Sequence, residues 1–350
     1  MRAIVKKYHL QFKRPSGTSR GVLSTKETWF IIIENKGAKG IGECGIFRGL
    51  SADDVPEYEA TLQWVVDNIN LGLESLLPKL QKFPSIQFGV EQAFLSLQSK
   101  NPFLLFPSEF TQNNSPVSIN GLIWMGNEAF MLEQIQEKIQ QGFTCIKLKI
   151  GAIDFDKELS LLAAIRKTYT KEQMEIRVDA NGAFSLKSAL AKLHQLAVYD
   201  IHSIEQPIKQ GAVLAMKELC KNTPLPIALD EELIGCFSLE DKEALLQTIA
   251  PQYIILKPSL VGGYKESLEW ISLAKKYNIG WWVTSALESN IGLNAIAQWT
   301  YSLGNSMPQG LGTGGLFTNN FDSPLVVEKG KLIYESKKDW QPNLIKSLCI

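Results

Sequence analysis

Along the second two-thirds of the chain, short apolar runs repeatedly close on a charged residue. Thr144 to Ile150 carries Lys147 and Lys149, Ile176-Arg177-Val178 ends on Asp179, Ile201 to Glu205 on a carboxylate, Pro226 to Asp230 on another, and Tyr253 to Lys257 on a lysine. The runs recur at intervals of about 25 to 30 residues, the length of one strand-plus-helix unit in a (β/α)8 barrel. Between them the periodicity becomes helical: Leu186, Leu190 and Leu193 fall on one face, as do Leu245, Leu246 and Ile249. The strand candidates are Val117–Asn120, Cys145–Lys149, Glu175–Asp179, Ser203–Glu205, Ile227–Asp230, Tyr253–Lys257, Gly280–Thr284 and a weak one at Gln309–Leu311. Strict alternation of strand and helix means parallel strands, and eight units favour a closed barrel over an open sheet.

Before this repeat the pattern is that of a small antiparallel sheet. Ala3-Ile4-Val5, Thr28 to Glu34 and Ile41 to Cys44 read as strands, with a turn at Asn35-Lys36-Gly37. Helices are expected over Glu57–Asn68 and Gln87–Ser99, and the polar stretch Thr111 to Pro116 reads as a linker. After Asn320 the pattern is hairpin-like again, with Leu325-Val326-Val327 and Leu332-Ile333-Tyr334 around Lys329-Gly330, and is expected to rejoin the N-terminal sheet. The organisation predicted is an α/β (β/α)8-type barrel over 116–318, an α+β capping domain over 1–115, and a segment over 319–350 that returns to the cap.

Composition narrows the partners. At 350 residues and 39.1 kDa, a barrel of about 250 residues leaves room for one more unit. Lysine plus arginine equals aspartate plus glutamate at 36 each, so there is no excess of positive charge to neutralise a nucleic-acid backbone. No apolar segment reaches the roughly 18 residues of a membrane span, and the start lacks the apolar core of a signal peptide. A soluble, cytoplasmic protein with a small-molecule substrate is expected. Five cysteines without a Cys-x-x-Cys pair and only three histidines exclude a zinc or histidine-rich site, so any metal is a hard cation held by oxygen.

The strand ends supply such oxygens. Asp179, Glu205 and Asp230 each close a different strand, and converging carboxylates repel unless a cation lies between them. Separate helix N-caps are the alternative, but capping does not account for Glu205 before Gln206-Pro207. Lys147 and Lys149, two apart on a strand, share one face, the barrel interior, where burial tunes a lysine toward base chemistry. Lys257 lies on the far side of the carboxylates in chain order. Asn181 is by default a turn residue, though an amide there reaches toward substrate or base. Ser285 and Glu288 are either a substrate hydrogen bond with a charge partner for Lys257, or a capping box. The glycine cluster Gly310 to Gly315 is neither a Walker loop nor a dinucleotide fingerprint, and its place after the last strand suits anion binding.

Taken together, Lys147-Leu148-Lys149, Asp179-Ala180-Asn181, Ile204-Glu205-Gln206-Pro207, Leu229-Asp230-Glu231 and Leu256-Lys257-Pro258 resemble the enolase superfamily, in its muconate-lactonising-enzyme subgroup. Leu256 to Gly263, Thr284 to Gly292 and Gly312 to Asn320 are similar to the o-succinylbenzoate synthase family of menaquinone biosynthesis. The resemblance implies a hydro-lyase that uses Mg²⁺, with Mn²⁺ as a substitute, held by Asp179, Glu205 and Asp230. Lys149 would remove the α-proton of 2-succinyl-6-hydroxy-2,4-cyclohexadiene-1-carboxylate to give an enediolate, then protonate the departing hydroxyl in a syn dehydration. Lys147 would help hold the carboxylate, and Lys257 would stand as a fixed cation on the opposite face. Substrate contacts would come from Asn181, Ser285, Gly312 and Thr313, and from Arg20, Phe47 and Arg48 in the capping loops, with Arg20 or Arg48 pairing with the succinyl carboxylate. The same frame in N-acylamino-acid racemases and dipeptide epimerases, with two opposed lysines, is the alternative. A homo-oligomer is compatible with either.

Overall fold

The apolar run Trp29 to Ile33 forms the middle of a three-stranded antiparallel sheet with strands β1 (Arg2–Thr18), β2 (Gly21–Asn35) and β3 (Ala38–Cys44) in that order. The structure is a computed structural model and describes residues 1–18 and 21–349. Asn35 pairs with Ala38 across Lys36-Gly37, whose φ angles of 49° and 85° are those of a two-residue hairpin turn. Alternation then gives the sheet two apolar faces. Ile31 and Ile33 pack with Tyr58, Leu62, Val65, Ile86 and Val90 of the helices Tyr58–Asp67 and Pro84–Gln98. Phe30, Ile32 and Ile41 pack instead on Ile291, Phe321, Leu344 and Leu348, which ties the sheet to the barrel and to the chain's last segment. The helix lies hard against β3: a β-carbon on Gly42 would fall 1.9 Å from the Gly89 carbonyl oxygen.

The barrel follows. After β4 (Val117–Ser118) come β5 (Gly121–Ile123), β6 (Cys145–Lys149), β7 (Glu175–Asp179), β8 (Ser203–Glu205), β9 (Ile227–Leu229), β10 (Tyr253–Leu256) and β11 (Gly280–Val283). The last seven form one parallel sheet in chain order. The expected strand at Gln309–Leu311 is reduced to single bridges, Ile119 with Gln309 and Thr284 with Gly310, which join the two ends of the sheet. Ile146, Leu148, Ile176, Val178 and Ile204 belong to the main core, as a parallel sheet covered by helices requires. The inward positions divide by height. One layer below the strand ends Ala228, Ile255 and Trp282 fill the interior, and the Arg177 guanidinium lies 4.2 Å from the Trp282 ring centre. At the strand ends the inward residues are charged.

Two expectations change. The hairpin β12 (Leu325–Glu328) and β13 (Lys331–Tyr334) adds to β4, with Leu332 opposite Val117, rather than to the N-terminal sheet. It is Phe321 and the helix Leu344–Leu348 that return to that sheet. Leu186 is exposed rather than on a packed helical face, because Ser185 and Ser188 hydrogen-bond into a turn and the helix begins only at Ala189. The cysteines are all free thiols, and among the described residues no helix is long and apolar enough to cross a membrane.

Candidate active site

Strand register brings the charged ends to one level. Lys149 lies opposite Asp179, and Asp179 opposite Glu205. Asp230 follows the end of β9 and Lys257 the end of β10. All three carboxylates are at most 3% exposed. Lys147 Nζ donates to Asp179 Oδ2 at 2.9 Å and to Glu205 Oε2 at 2.6 Å. Lys149 Nζ donates to Asp179 Oδ2 at 3.0 Å and to Asn181 Oδ1 at 2.7 Å. Lys257 Nζ is bonded to Asp230 and stands 3.8 Å from Glu205 Oε1. Lys149 and Lys257 thus approach the carboxylates from opposite sides.

Electrostatics separates these groups. Burial alone would lower the Lys147 pKa, but the Asp179 and Glu205 charges outweigh it and hold the ammonium well above its usual range. Lys257 is raised in the same way, burial being overcome by Asp230 and Glu205. Burial acts to raise Asp179, yet Lys147, Lys149 and Lys257 hold its carboxyl well below the usual range. Glu205 goes the other way, pushed up to about 8 by burial and then by the Asp179 charge.

Among the described residues no three His, Cys, Asp or Glu side chains form a ready cage around one point, because the carboxylates are turned onto lysine ammonium groups. The donor set nonetheless fits a hard divalent cation. It offers three buried carboxylates from adjacent strands, and Glu205 Oε1 is buried with no hydrogen-bond partner among the described residues.

The lysines open on a cavity of about 350 Å³, shared between barrel and cap. Lys147, Lys149, Lys257, Asn181, Ser285, Gly312 and Thr313 line it, and Phe47 faces it from the cap with Leu50 and the stretch Lys13 to Ser16. Arg48 does not take part: it is ion-paired with Glu27 at 2.5 Å and Asp54 at 2.7 Å within the cap. Arg20 lies outside the described residues. Ser285 lines the cavity, but the capping box and the pairing of Glu288 with Lys257 do not form. Ser289 caps the helix Asn290–Ser302, and Glu288 accepts from Ser259 Oγ and Ser285 Oγ, both at 2.5 Å, with no bond to Lys257. The N–H of Gly310 is engaged by the Val283 carbonyl, so the glycine cluster is partly used to close the barrel.

Three neighbours carry more than the motifs suggested. Asn181, at φ 42°, places its amide between Lys149 and Glu231, donating to Glu231 Oε1 at 3.0 Å. Glu231 lines the cavity, whereas Glu232 accepts from Gln206 Nε2 and the Gly211 N–H, both at 2.9 Å, and is structural. Gln206, at φ 41°, also accepts from the backbone N–H of Asp230 and Glu232, joining the ends of β8 and β9. The signal in sequence was slight: an amide directly after Glu205 and before a proline.

Residues 131–337 match the family described as Enolase C-terminal domain-like. The chain is 47% identical to an o-succinylbenzoate synthase of Desulfotalea psychrophila, over 92% of this chain and 96% of that protein. The crystal structure of MenC from Desulfotalea psychrophila LSv54 superposes with a TM-score of 0.85 at 42% identity, covering 95% of this chain and 99% of that one. A dipeptide epimerase of Enterococcus faecalis, crystallised with Mg and the dipeptide L-Leu-L-Tyr, shares the fold with a TM-score of 0.82 at 20% identity, covering 95% and 96% of the two chains.

Proposed function

The chain belongs to the enolase superfamily and is a carbon–oxygen lyase of the o-succinylbenzoate synthase type, and from that premise we propose that it dehydrates 2-succinyl-6-hydroxy-2,4-cyclohexadiene-1-carboxylate to o-succinylbenzoate, a step of menaquinone biosynthesis. The observation that carries the reading is the asymmetry of the two flanking lysines. Lys149 is shared between one carboxylate and a neutral amide, while Lys257 is set against two carboxylates.

Asp179, Glu205 and Asp230 would hold Mg²⁺, or Mn²⁺ in its place, and the ion when bound supplies Lewis-acid stabilisation of the charge that grows on the substrate carboxylate. Lys147, fixed between Asp179 and Glu205, adds positive charge beside that carboxylate. Lys149 in its neutral form takes the α-proton, the C–H electrons shift into the ring, and the C–O bond breaks. The same ammonium then returns its proton to the leaving hydroxyl, which departs as water on the face from which the proton was taken. Asn181 holds Nζ in line throughout, its own amide steadied by Glu231. Lys257 remains protonated and steadies negative charge from the other side. Phe47 and Leu50 of the cap cover the cavity and limit water.

A spectroscopic dehydration assay, with and without EDTA and beside Lys149→Ala, tests this. Turnover that EDTA abolishes and added Mg²⁺ restores, together with a loss of at least about 10³-fold in the variant, is the expected result. Full activity in Lys149→Ala would remove the base assignment, and no turnover by the wild type would remove the reading itself.

A further inference from the structure

The backbone just beyond Lys149 is fastened from behind the pocket. Glu158, in the first turn of the helix Phe155–Thr168, is 2% exposed and reaches back past the start of its own helix. Its Oε1 accepts from the Gly151 N–H at 2.6 Å, two residues after Lys149. The helix does not need this carboxylate as a cap, because Asp154 holds that place and accepts from the Asp156 N–H at 3.1 Å. Among the described residues Lys149 and Asn181 line the cavity, whereas Glu158 and Gly151 do not. Whatever Glu158 does for the site it does through the backbone.

The segment held in this way lies against the loop that follows β7. The Ile150 N–H donates to the Asp179 carbonyl at 2.8 Å. Gly151, at φ 94°, comes so near that loop that a β-carbon on it would stand 2.5 Å from Ala183 Cβ. The loop is tied in turn to the end of β8, the Gly182 N–H donating to the Gln206 carbonyl at 2.7 Å and the Phe184 N–H to the Pro207 carbonyl at 3.0 Å. Phe184 also meets Phe155, the first residue of the helix that carries Glu158, edge-on at 5.8 Å between ring centres. The contact of 2.7 Å between Lys149 Nζ and Asn181 Oδ1 spans these same two segments. Glycine lets the chain pass this closely, but it has no side chain to anchor the backbone and is the most mobile residue type when unheld. Glu158 supplies the anchor at the point where a small shift would carry the lysine out of line.

We propose that Glu158 is a positioning residue for proton transfer, whose hold on the Gly151 N–H fixes the backbone beyond Lys149 against the loop bearing Asn181 and so keeps Nζ where the base must stand. The inference rests on the dehydratase reading for the role of Lys149, and not for the placement of its side chain.

Two variants separate reach from charge. Glu158→Gln keeps an oxygen within reach of Gly151 and loses the charge, whereas Glu158→Asp keeps the charge and falls one methylene short. Both are compared with the wild type in kcat and KM for dehydration, with circular dichroism to confirm folding. Labelling of Lys149 by acetic anhydride, measured against Lys257 by peptide mass spectrometry, reports the placement of Nζ without any turnover. Glu158→Asp is expected to lower kcat about tenfold or more with KM within about threefold, and to raise the relative labelling of Lys149 at least about threefold as Nζ leaves Asp179 and Asn181. Glu158→Gln is expected to stay within about threefold of the wild type in every readout. Unchanged labelling of Lys149 in Glu158→Asp overturns the proposal, whatever happens to kcat or stability. A change in Glu158→Gln as large as that in Glu158→Asp overturns it too, since charge and not reach would then be at work. Should Glu158→Asp fail to fold, Gly151→Ala, which crowds the loop off Ala183, is judged by the same labelling. If the wild type does not dehydrate the substrate, the dehydratase reading fails separately, and labelling alone decides the placement.

Discussion

Lys149 and Lys257 are the same residue type at equivalent strand ends, and what they touch separates them. Lys149 has one carboxylate and the Asn181 amide, whereas Lys257 has Asp230 and Glu205. Lys257→Arg, which keeps a cation, is expected to retain dehydration within about tenfold, and Lys257→Ala to lose about 10³-fold or more. Racemisation of an N-succinylamino acid, a two-base process, should stop in both variants. Loss of dehydration together with racemisation in Lys257→Arg would show that Lys257 does more than hold charge. Asn181→Ala removes the acceptor that steadies Lys149, so kcat should fall about 10- to 100-fold with KM little changed, a split visible in steady-state kinetics. The motif residues were legible one at a time because type and position announce them. Glu231 and Gln206 were not, since their use depends on which neighbouring strand end they face.

At the scale of elements, the repeat of strand and helix was plain because parallel strands buried on both faces leave uninterrupted apolar runs. The closure of Gln309 onto Ile119 and the pairing of the last hairpin with β4 were obscure, as both depend on partners far distant along the chain rather than on local pattern. Helix ends also carry chemistry away from the active site. Glu91, on the helix Pro84–Gln98, is buried where it accepts from the Tyr264 N–H at 2.5 Å and the Lys265 N–H at 3.2 Å, and burial pushes its pKa up to about 7. A carboxyl raised in the folded state contributes stability that is full below its unfolded pKa of 4.5 and is lost as pH rises through about 7. Chemical denaturation between pH 4.5 and 8 should therefore show a decline containing about 3 kcal/mol from this group. Glu91→Gln should flatten that part of the decline, and an unaltered slope would show that Glu91 stays ionised in the fold.

At the scale of the molecule, the cap is held from two directions, by the barrel and by the chain's return. Tyr8 Oη donates to the Asn319 carbonyl at 2.8 Å, and Phe321 meets Phe30 edge-on at 5.6 Å between ring centres. Phe321→Ala should cost about 3 kcal/mol in chemical denaturation, and a loss under 1 kcal/mol, within ordinary surface scatter, would mean that the return segment does not hold the sheet. The sequence by itself determined the barrel repeat, the two lysine sites, the three carboxylates and the kind of cation they suit, because strand period and residue chemistry are local properties. Only the tertiary structure decided that Arg48 faces Glu27 and Asp54 instead of the pocket, and that Glu288 serves Ser259 and Ser285. These outcomes follow from how two separately patterned units dock, and long charged side chains take whichever partners that docking brings within reach.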